Sequence, residues 1–149
     1  EHAQYKSYKK KTKKKYDAVL HLREMGHRAE DNDGAEWNKK LINRLLSEGQ
    51  KIALIGTSKG SCDVDFPVDK FYDKPLSKVI DIINQSKVVV GQSSGPMHLA
   101  ALCEAETIVW SNTKGDELRE RYLETWNPFK NTVNYLVKPS ISDIVKLVK

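Results

Sequence analysis

Two short apolar runs place the strongest constraint on how this chain can fold. KIALIG (51–56) and KVVVG (87–91) carry apolar residues at nearly every position, so a strand formed by either run would be buried on both faces. Strands of that kind belong to parallel sheets that are covered by helices on each side. Three further runs predict strands: AVLHL (18–22), TIVWS (107–111) and, at an edge, NYLV (134–137). We therefore expect a parallel sheet of at least five strands.

Segments with helical periodicity alternate with these strands. In residues 35–48, for example, apolar side chains recur at spacings of three and four. Further helices are predicted over 76–85, 96–102, 116–124 and the last residues of the chain. In the last of them, Ser140 and Asp143 have the spacing of a capping box. This alternation predicts right-handed crossovers and an α/β, Rossmann-like, doubly wound parallel sheet, with one more short strand near 64–66.

Length and composition are typical of one globular domain: the chain has 149 residues, of which 39% are hydrophobic and 30% are charged. The net charge of +5 comes from residues 1–15, which hold seven lysines and one acid, whereas the rest holds 18 basic and 19 acidic residues. We predict that residues 1–16 are a lysine-rich linker, or a tail derived from the expression vector, and that 17–149 form the domain. No nucleic-acid-binding motif accompanies the lysines, so no nucleic-acid partner is expected; a basic arm for nucleic acid is the alternative.

Several signals that the sequence lacks bear on location. No apolar run approaches the roughly 20 residues that span a bilayer, and no secretory signal is recognisable. Cys62 and Cys103 lie far apart without the spacing of metal ligands or redox pairs, so neither a disulfide framework nor a metal site is predicted. These observations favour a reducing, cytoplasmic location.

The loops at one edge of the predicted sheet are the candidate ligand sites, because doubly wound sheets bind ligands beyond the carboxyl ends of their strands. These loops are 23–34, 56–63, 91–96 and 111–116. The third lies in VVVGQSSGPMHLAAL (88–102), where a strand leads directly into a helix. The N–H groups that open a helix carry partial positive charge and stabilise an anion. This joint therefore predicts a phosphate site.

The residues of the joint suit an anion. Gly95 lets the backbone approach a ligand closely because it has no Cβ, and Pro96 suits the first turn of a helix. Ser93 and Ser94 can donate to phosphate oxygens, and His98 lies in the first helical turn. The alternative is that the serines only cap the helix and the histidine is incidental. The dinucleotide fingerprint G-x-G-x-x-G is absent.

Residues 88–102, together with RYLETWNP (121–128), resemble the C-terminal, donor-binding half of family 9 glycosyltransferases, the heptosyltransferase-like enzymes. That family has a strand followed by G-x-(D/N)-(S/T)-G-(P/L)-x-H-L-A-A, and a late Trp-Asn-Pro. This chain reads GQSSGPMHLAA and WNP at the matching places, and the resemblance spans about residues 17–149.

The resemblance implies a donor-binding function like that of ADP-heptose:lipopolysaccharide heptosyltransferases. The domain would be one lobe of a GT-B architecture and would hold a nucleoside diphosphate sugar for hexosyl or heptosyl transfer. The acceptor, a saccharide or lipopolysaccharide-type molecule at the membrane periphery, would bind a missing N-terminal lobe that also provides the catalytic base. This chain alone is expected to bind its donor without catalysis, with no catalytic residue, metal or cofactor of its own. A non-catalytic Rossmann-like nucleotide-binding module is the alternative.

The resemblance also implies which residues contact the donor. Those around the diphosphate and sugar are Ser93, Ser94, Gly95, Pro96 and His98. Those near the nucleoside are Gly56, Thr57, Ser58 and Lys74. Two positions differ from the family, because Ser93 replaces an acidic residue and Ala35 replaces a lysine that neutralises phosphate. Arg23 or Arg28 is expected to supply that charge instead.

Other polar and aromatic residues near the strand ends are expected to have structural roles. His21 is expected to pack at the end of its strand, and the acidic residues within 30–33 to be solvated in a turn. Trp110 and Trp126 are expected in the core or an interface, rather than stacked on a base or a sugar.

Overall fold

Strands and helices alternate along most of the chain. The structure is a computed structural model that describes residues 6–23, 33–61, 64–113 and 115–148. In chain order its elements are β1 (Ala18–His21), α1 (Ala35–Ser47), β2 (Ile52–Gly56), β3 (Asp69–Tyr72), α2 (Leu76–Asn84), β4 (Val89–Gln92), α3 (Gly95–Leu102), β5 (Thr107–Ser111), α4 (Asp116–Glu120), a π-helical turn (Arg121–Thr125, the π turn), β6 (Val133–Val137) and α5 (Ile141–Val148).

The strands form one sheet in the order β3-β2-β1-β4-β5-β6, and every neighbouring pair is parallel. The chain builds outward from β1 to β3, returns to the centre, and then builds outward on the other side from β4 to β6. The predicted α/β, Rossmann-like, doubly wound sheet is therefore confirmed, with β6 at the edge as expected. Between the carboxyl ends of β1 and β4 the strand order reverses, and sheets of this type bind ligands at that crevice.

The continuous apolar strands fill both faces of the sheet. Leu20 and Leu54 pack with α1 and α5 on one face, whereas Val19 and Ile55 pack with α2, α3 and the π turn on the other. Successive side chains of a strand point to opposite faces, so a strand that is covered on both sides needs apolar residues at every position. The prediction that helices cover both faces is confirmed.

The position predicted for the short extra strand is wrong. Residues 64–66 do not form a strand, and β3 is formed by the sequence DKFY further along the chain. Because β3 lies at the edge of the sheet, it needs no apolar residues on its outer side, and Asp69 and Lys70 are exposed. Val64 is buried in the core and Phe66 packs against the same cluster, which explains the apolar pattern there.

The last two predicted helices are also present. The segment predicted as one helix over 116–124 consists of α4 followed by the π turn. At the start of α5, Asp143 N–H donates to Ser140 Oγ at 3.1 Å, and Ser140 N–H donates to Asp143 Oδ2 at 3.0 Å. This reciprocal pair confirms the capping box, and the backbone hydrogen bond from Ser140 lowers the pKa of the Asp143 carboxyl.

The lysine-rich segment lies along the domain. Residues 6–15 form no helix or strand, and Tyr8 N–H donates to Leu102 O at the end of α3, at 2.8 Å. The lysines of this segment are exposed, but Tyr16 is only 1% exposed and its hydroxyl lies 2.6 Å from Asp69 Oδ2. Tyr16, which the predicted boundary assigns to the linker, is therefore part of the core.

If Tyr16 belongs to the core, Tyr16→Ala should lower the free energy of unfolding by about 3–5 kcal/mol, because a large buried ring leaves a cavity. Tyr16→Phe should cost only about 1 kcal/mol through the lost hydrogen bond. Lys13→Ala, at an exposed position three residues earlier, should stay within about 0.5 kcal/mol of the unchanged protein. Urea unfolding of the three variants measures these differences, and equal stability of Tyr16→Ala and Lys13→Ala would contradict a core role for the ring.

Candidate functional site

The joint between β4 and α3 opens directly into the crevice, and its two serines do not cap the helix. Ser94 occupies the position before the first helical residue, Gly95, but its hydroxyl makes no capping hydrogen bond. Ser94 Oγ lies instead 2.9 Å from His21 Nδ1, at the end of β1. Ser93 Oγ lies 2.8 Å from the hydroxyl of Tyr122, in the π turn. The alternative in which the serine hydroxyls serve only as helix caps is therefore wrong.

Gly91 and Gly95 lie at the two ends of the joint, and glycine suits these positions for different reasons. A Cβ on Gly91 would lie 2.7 Å from the backbone oxygen of His21, so glycine is required where β1 and β4 meet. A Cβ on Gly95 would have no neighbour within 4 Å among the described residues, which leave the space in front of the helix start open. No contact within the described part of the chain demands glycine at position 95, whereas a ligand that approaches the helix backbone would.

His21 is the residue that joins the two sides of the site. Its side chain lies between Ser94 and Gly56, and the residue is only 8% exposed. Burial, followed by the nearby charge of Arg23, lowers the pKa of His21 to about 4. The imidazole is therefore neutral near pH 7, and one ring nitrogen carries a proton while the other is an acceptor.

The Ser94–His21 pair has the distance of a nucleophile and its base, but its electrostatics oppose that role. A histidine that activates serine must accept the hydroxyl proton and become an imidazolium. Burial and the cationic Arg23 destabilise the imidazolium of His21. These electrostatics favour a fixed hydrogen bond between neutral groups over a catalytic dyad.

Arg23 follows β1 and places a guanidinium in the crevice. The residue is 9% exposed, and its backbone N–H donates to Gln92 Oε1 at 2.9 Å, which ties the ends of β1 and β4 together. Asn38 Nδ2 donates to the Arg23 carbonyl at 3.3 Å, which attaches the start of α1 to the same point. Of the two arginines expected to neutralise phosphate, Arg23 thus lies at the site, and Arg28 lies outside the described residues.

An aromatic cluster forms the wall of the crevice on the side of the π turn. The ring of His98 stacks on Tyr122 with centroids 5.2 Å apart and an interplanar angle of 10°. Trp126 meets His98 edge to face at 4.5 Å and Tyr122 at 5.1 Å. π-helical turns commonly occur at functional sites, and here the turn carries Tyr122 toward Ser93.

Two adjoining clefts result from this arrangement, and they share His21, Gly95 and Pro96. The first, called the serine cleft, has a volume of about 350 Å³. Its other lining residues are Arg23, Ser93, Ser94, His98, Leu118 and Trp126. The second, called the apolar cleft, has a volume of about 410 Å³. Its other lining residues are Ile55, Gly56, Thr57, Lys74, Leu76, Val79 and Leu99.

The residues predicted near a nucleoside mostly line the apolar cleft. Gly56, Thr57 and Lys74 do so, whereas Ser58 is not among its lining residues. The backbone N–H of Ser58 donates to Asp73 Oδ1 at 3.2 Å, and hydrogen bonds from Ser58 lower the pKa of the Asp73 carboxyl. Ser58 therefore helps to hold the loop that follows β2.

Three of the residues expected in structural roles lie near this edge of the sheet. Trp110 is fully buried, as predicted, and its Nε1–H donates to Asp33 Oδ2 at 2.9 Å. Asp33 Oδ1 also accepts from Asn112 Nδ2 at 2.9 Å, so this carboxylate anchors the start of α1 rather than being solvated. Trp126 lies partly exposed in the serine cleft. The other acidic residues within 30–33, and Cys62, lie outside the described residues.

Two residues that contact the serines of the joint, His21 and Tyr122, were not predicted to belong to the site. His21 could be recognised because a polar residue ends an apolar strand beside the point where strand order reverses. Tyr122 offers no comparable signal, because its approach to Ser93 depends on the π turn, which has no recognisable sequence pattern. Within 6–23, 33–61, 64–113 and 115–148, no group of three or more His, Cys, Asp or Glu side chains is placed to hold a metal ion.

Comparisons with protein-family models, with curated protein sequences and with solved structures found no match for this chain. In the part of the chain that the structure describes, every helix is too short or too polar to cross a lipid bilayer.

The low pKa of His21 predicts a pH-dependent stability. The unfolded chain takes up this proton near pH 6.5 and the folded protein only near pH 4, so between these values the unfolded state binds more protons. The free energy of unfolding should therefore fall by up to about 3 kcal/mol as the pH is lowered through this window. His21→Asn should remove that part of the dependence, as measured by urea unfolding at several pH values. Parallel pH profiles for the two proteins would contradict the burial of a neutral imidazole.

Proposed function

We propose that this domain is the donor-binding lobe of a GT-B glycosyltransferase and holds a nucleoside diphosphate sugar. The observation that carries the proposal is the pair of clefts that meet at the start of α3, in the crevice where the strand order reverses. One cleft is suited to an anion and the other to a flat apolar group. Ser93, Ser94, Gly95, Pro96 and His98 line the serine cleft, and they belong to the segment that carries the sequence resemblance to family 9 glycosyltransferases.

The serine cleft is suited to the diphosphate. The start of α3 supplies backbone N–H groups and partial positive charge, and open space lies in front of Gly95. Arg23 lines the same cleft, and its guanidinium matches the geometry of phosphate oxygens. A buried guanidinium attracts an anion more strongly than an exposed one, because water screens it less.

The apolar cleft is suited to the nucleoside. Ile55, Val79 and Leu99 give it an apolar lining, against which a planar base can pack. Leu76 is 62% exposed at its rim and would lose contact with water when a base binds. Lys74 places an ammonium donor at the same cleft, and it belongs to the set of residues predicted near the nucleoside.

The sugar would lie on the Trp126 side of the serine cleft. Leu118 and Trp126 provide an apolar and aromatic surface there. Ser93, which stands where the family has an acidic residue, is hydrogen bonded to Tyr122. Among the described residues, the side chains that line this cleft include no carboxylate, so we expect the sugar to be held by ring stacking and neutral donors.

In this proposal, catalysis is assigned to a separate N-terminal lobe of the glycosyltransferase. The neutral Ser94–His21 pair is a poor nucleophile and base, and the proposed role of this chain is to bind the donor. A saccharide or lipopolysaccharide-type acceptor, a membrane-peripheral position and a cytoplasmic location are part of the same proposal and are supported by the sequence resemblance.

A non-catalytic nucleotide-binding module is the second candidate. The hydrogen bond between Ser93 and Tyr122 favours it, because this position carries no carboxylate to select sugar hydroxyls. Such a module should bind a nucleoside diphosphate and its sugar derivative with equal affinity. A donor-binding lobe should prefer the sugar derivative, and titration calorimetry with both ligands separates the two.

Bulk at the start of α3 tests the phosphate site. Gly95→Val should weaken the binding of ADP, GDP or UDP, whichever binds best, at least about tenfold, because the side chain would enter the space in front of the helix. Its fold should be retained, since a Cβ at this position meets nothing within 4 Å.

Gly34→Val is the matched control for this experiment. Gly34 lies directly before α1, one position earlier than Gly95 lies relative to α3. A Cβ on Gly34 would likewise have no neighbour within 4 Å among the described residues, yet Gly34 lines neither cleft. Calorimetry gives the affinities and thermal unfolding reports the fold. A folded Gly95→Val protein that binds the diphosphate as tightly as Gly34→Val would overturn the proposed site.

A further inference from the structure

His21 belongs to neither the diphosphate set nor the nucleoside set that the family resemblance implies, yet it lines both clefts. On one side its Nδ1 lies 2.9 Å from Ser94 Oγ. On the other side its Cδ2 lies 3.0 Å from the position that a Cβ on Gly56 would take. The ring therefore fills the gap between the first turn after β4 and the end of β2.

The direction of the Ser94 hydroxyl depends on this ring. A serine hydroxyl has one proton, and only the proton makes it a donor to a phosphate oxygen. If His21 accepts that proton at Nδ1, Ser94 presents only oxygen lone pairs to the cleft, and these repel an anion. If Nδ1–H donates to Ser94 Oγ, the serine proton is left for the ligand.

We propose that His21 is a positioning residue for the diphosphate: in the Nδ1–H form it donates to Ser94 Oγ and turns the serine proton toward the bound phosphate. This inference rests on the proposed function, because it takes a diphosphate to be the ligand of the serine cleft. Burial, and after it the charge of Arg23, lowers the pKa of the ring, so the imidazole is neutral and only one of its two nitrogens carries a proton. The tautomer therefore decides which way the Ser94 hydroxyl points. The role also explains why a polar residue is buried at the end of an apolar strand.

Two substitutions of His21 separate positioning from packing. Asn places an amide N–H close to the position of Nδ1, whereas Leu has a similar branched shape without a polar atom. Ser94→Ala should weaken binding of the best of ADP, GDP and UDP about fivefold, since it removes one hydrogen bond to the phosphate. His21→Leu should cause a loss of similar size, because it leaves the Ser94 hydroxyl without the donor that directs its proton to the phosphate. His21→Asn should bind within about twofold of the unchanged protein.

A double variant tests whether the two residues act as a unit. His21→Leu combined with Ser94→Ala should bind no more weakly than Ser94→Ala alone, because His21 acts through the serine. A further fivefold loss in the double variant would overturn the proposal, as would equal affinities of the Leu and Asn variants. Thermal unfolding of each variant identifies losses that come only from packing.

The protonated nitrogen can be observed directly. Long-range ¹H–¹⁵N spectra of the histidine ring should show a neutral imidazole with the proton on Nδ1 when the diphosphate is bound, and an Nδ1 shift that changes in Ser94→Ala. A proton on Nε2 in the bound state would overturn the inference and leave the proposed function standing. Failure of the unchanged protein to bind any of the three diphosphates at millimolar concentration would overturn both.

Discussion

The close approach of β1 and β4 is the constraint on which the site depends. Gly91 is paired with His21 in the parallel register, and a Cβ at position 91 would lie 2.7 Å from the His21 carbonyl oxygen. This approach brings the end of β1 against the start of α3, so that His21 reaches Ser94. It also places the crevice where connections from neighbouring strands leave toward opposite faces of the sheet. Without this contact the two clefts would have no common wall.

The charges around His21 affect both the anion site and the protonation of the histidine ring. Arg23 and the start of α3 make the serine cleft favourable for an anion. Burial, and after it the charge of the same guanidinium, keeps His21 neutral. A neutral imidazole carries one ring proton, and in the proposed arrangement that proton lies on Nδ1 and directs the Ser94 hydroxyl. Tyr122 holds Ser93 on the far side of the joint and stacks on His98. The two serines of the joint are thus held by different elements, and only Ser94 is directed by β1.

The fold could be predicted from the sequence wherever burial acts on both sides of an element. The apolar runs that become β2 and β4 could be recognised, because a parallel strand that is buried on both faces needs apolar residues at every position. The edge strand β3 could not be placed, since Asp69 and Lys70 face solvent and Val64 gives a competing apolar signal. The anchoring of Asp33 by Trp110 joins residues far apart in the chain, which no local pattern reports.

The candidate site was predictable in part for a similar reason: the joint of α3 and the loop after β2 follow strands whose carboxyl ends must share one edge of the sheet. The partners of the serine hydroxyls could not be predicted, because the local pattern S-S-G-P fits a helix cap equally well and the observed contacts depend on strand pairing and on the π turn.

Following the backbone amides while a nucleoside diphosphate or its sugar is titrated would locate the ligand most directly. We expect the diphosphate to shift the amides of 93–95, 97–98 and 56–57, and the sugar derivative to shift the indole N–H of Trp126 as well. Amides of the lysine-rich segment 6–16, which follows the opposite side of the domain along the ends of α2 and α3, should not respond. Shifts confined to that segment, or no response of 93–98 to ADP, GDP or UDP at millimolar concentration, would contradict a diphosphate site at the start of α3.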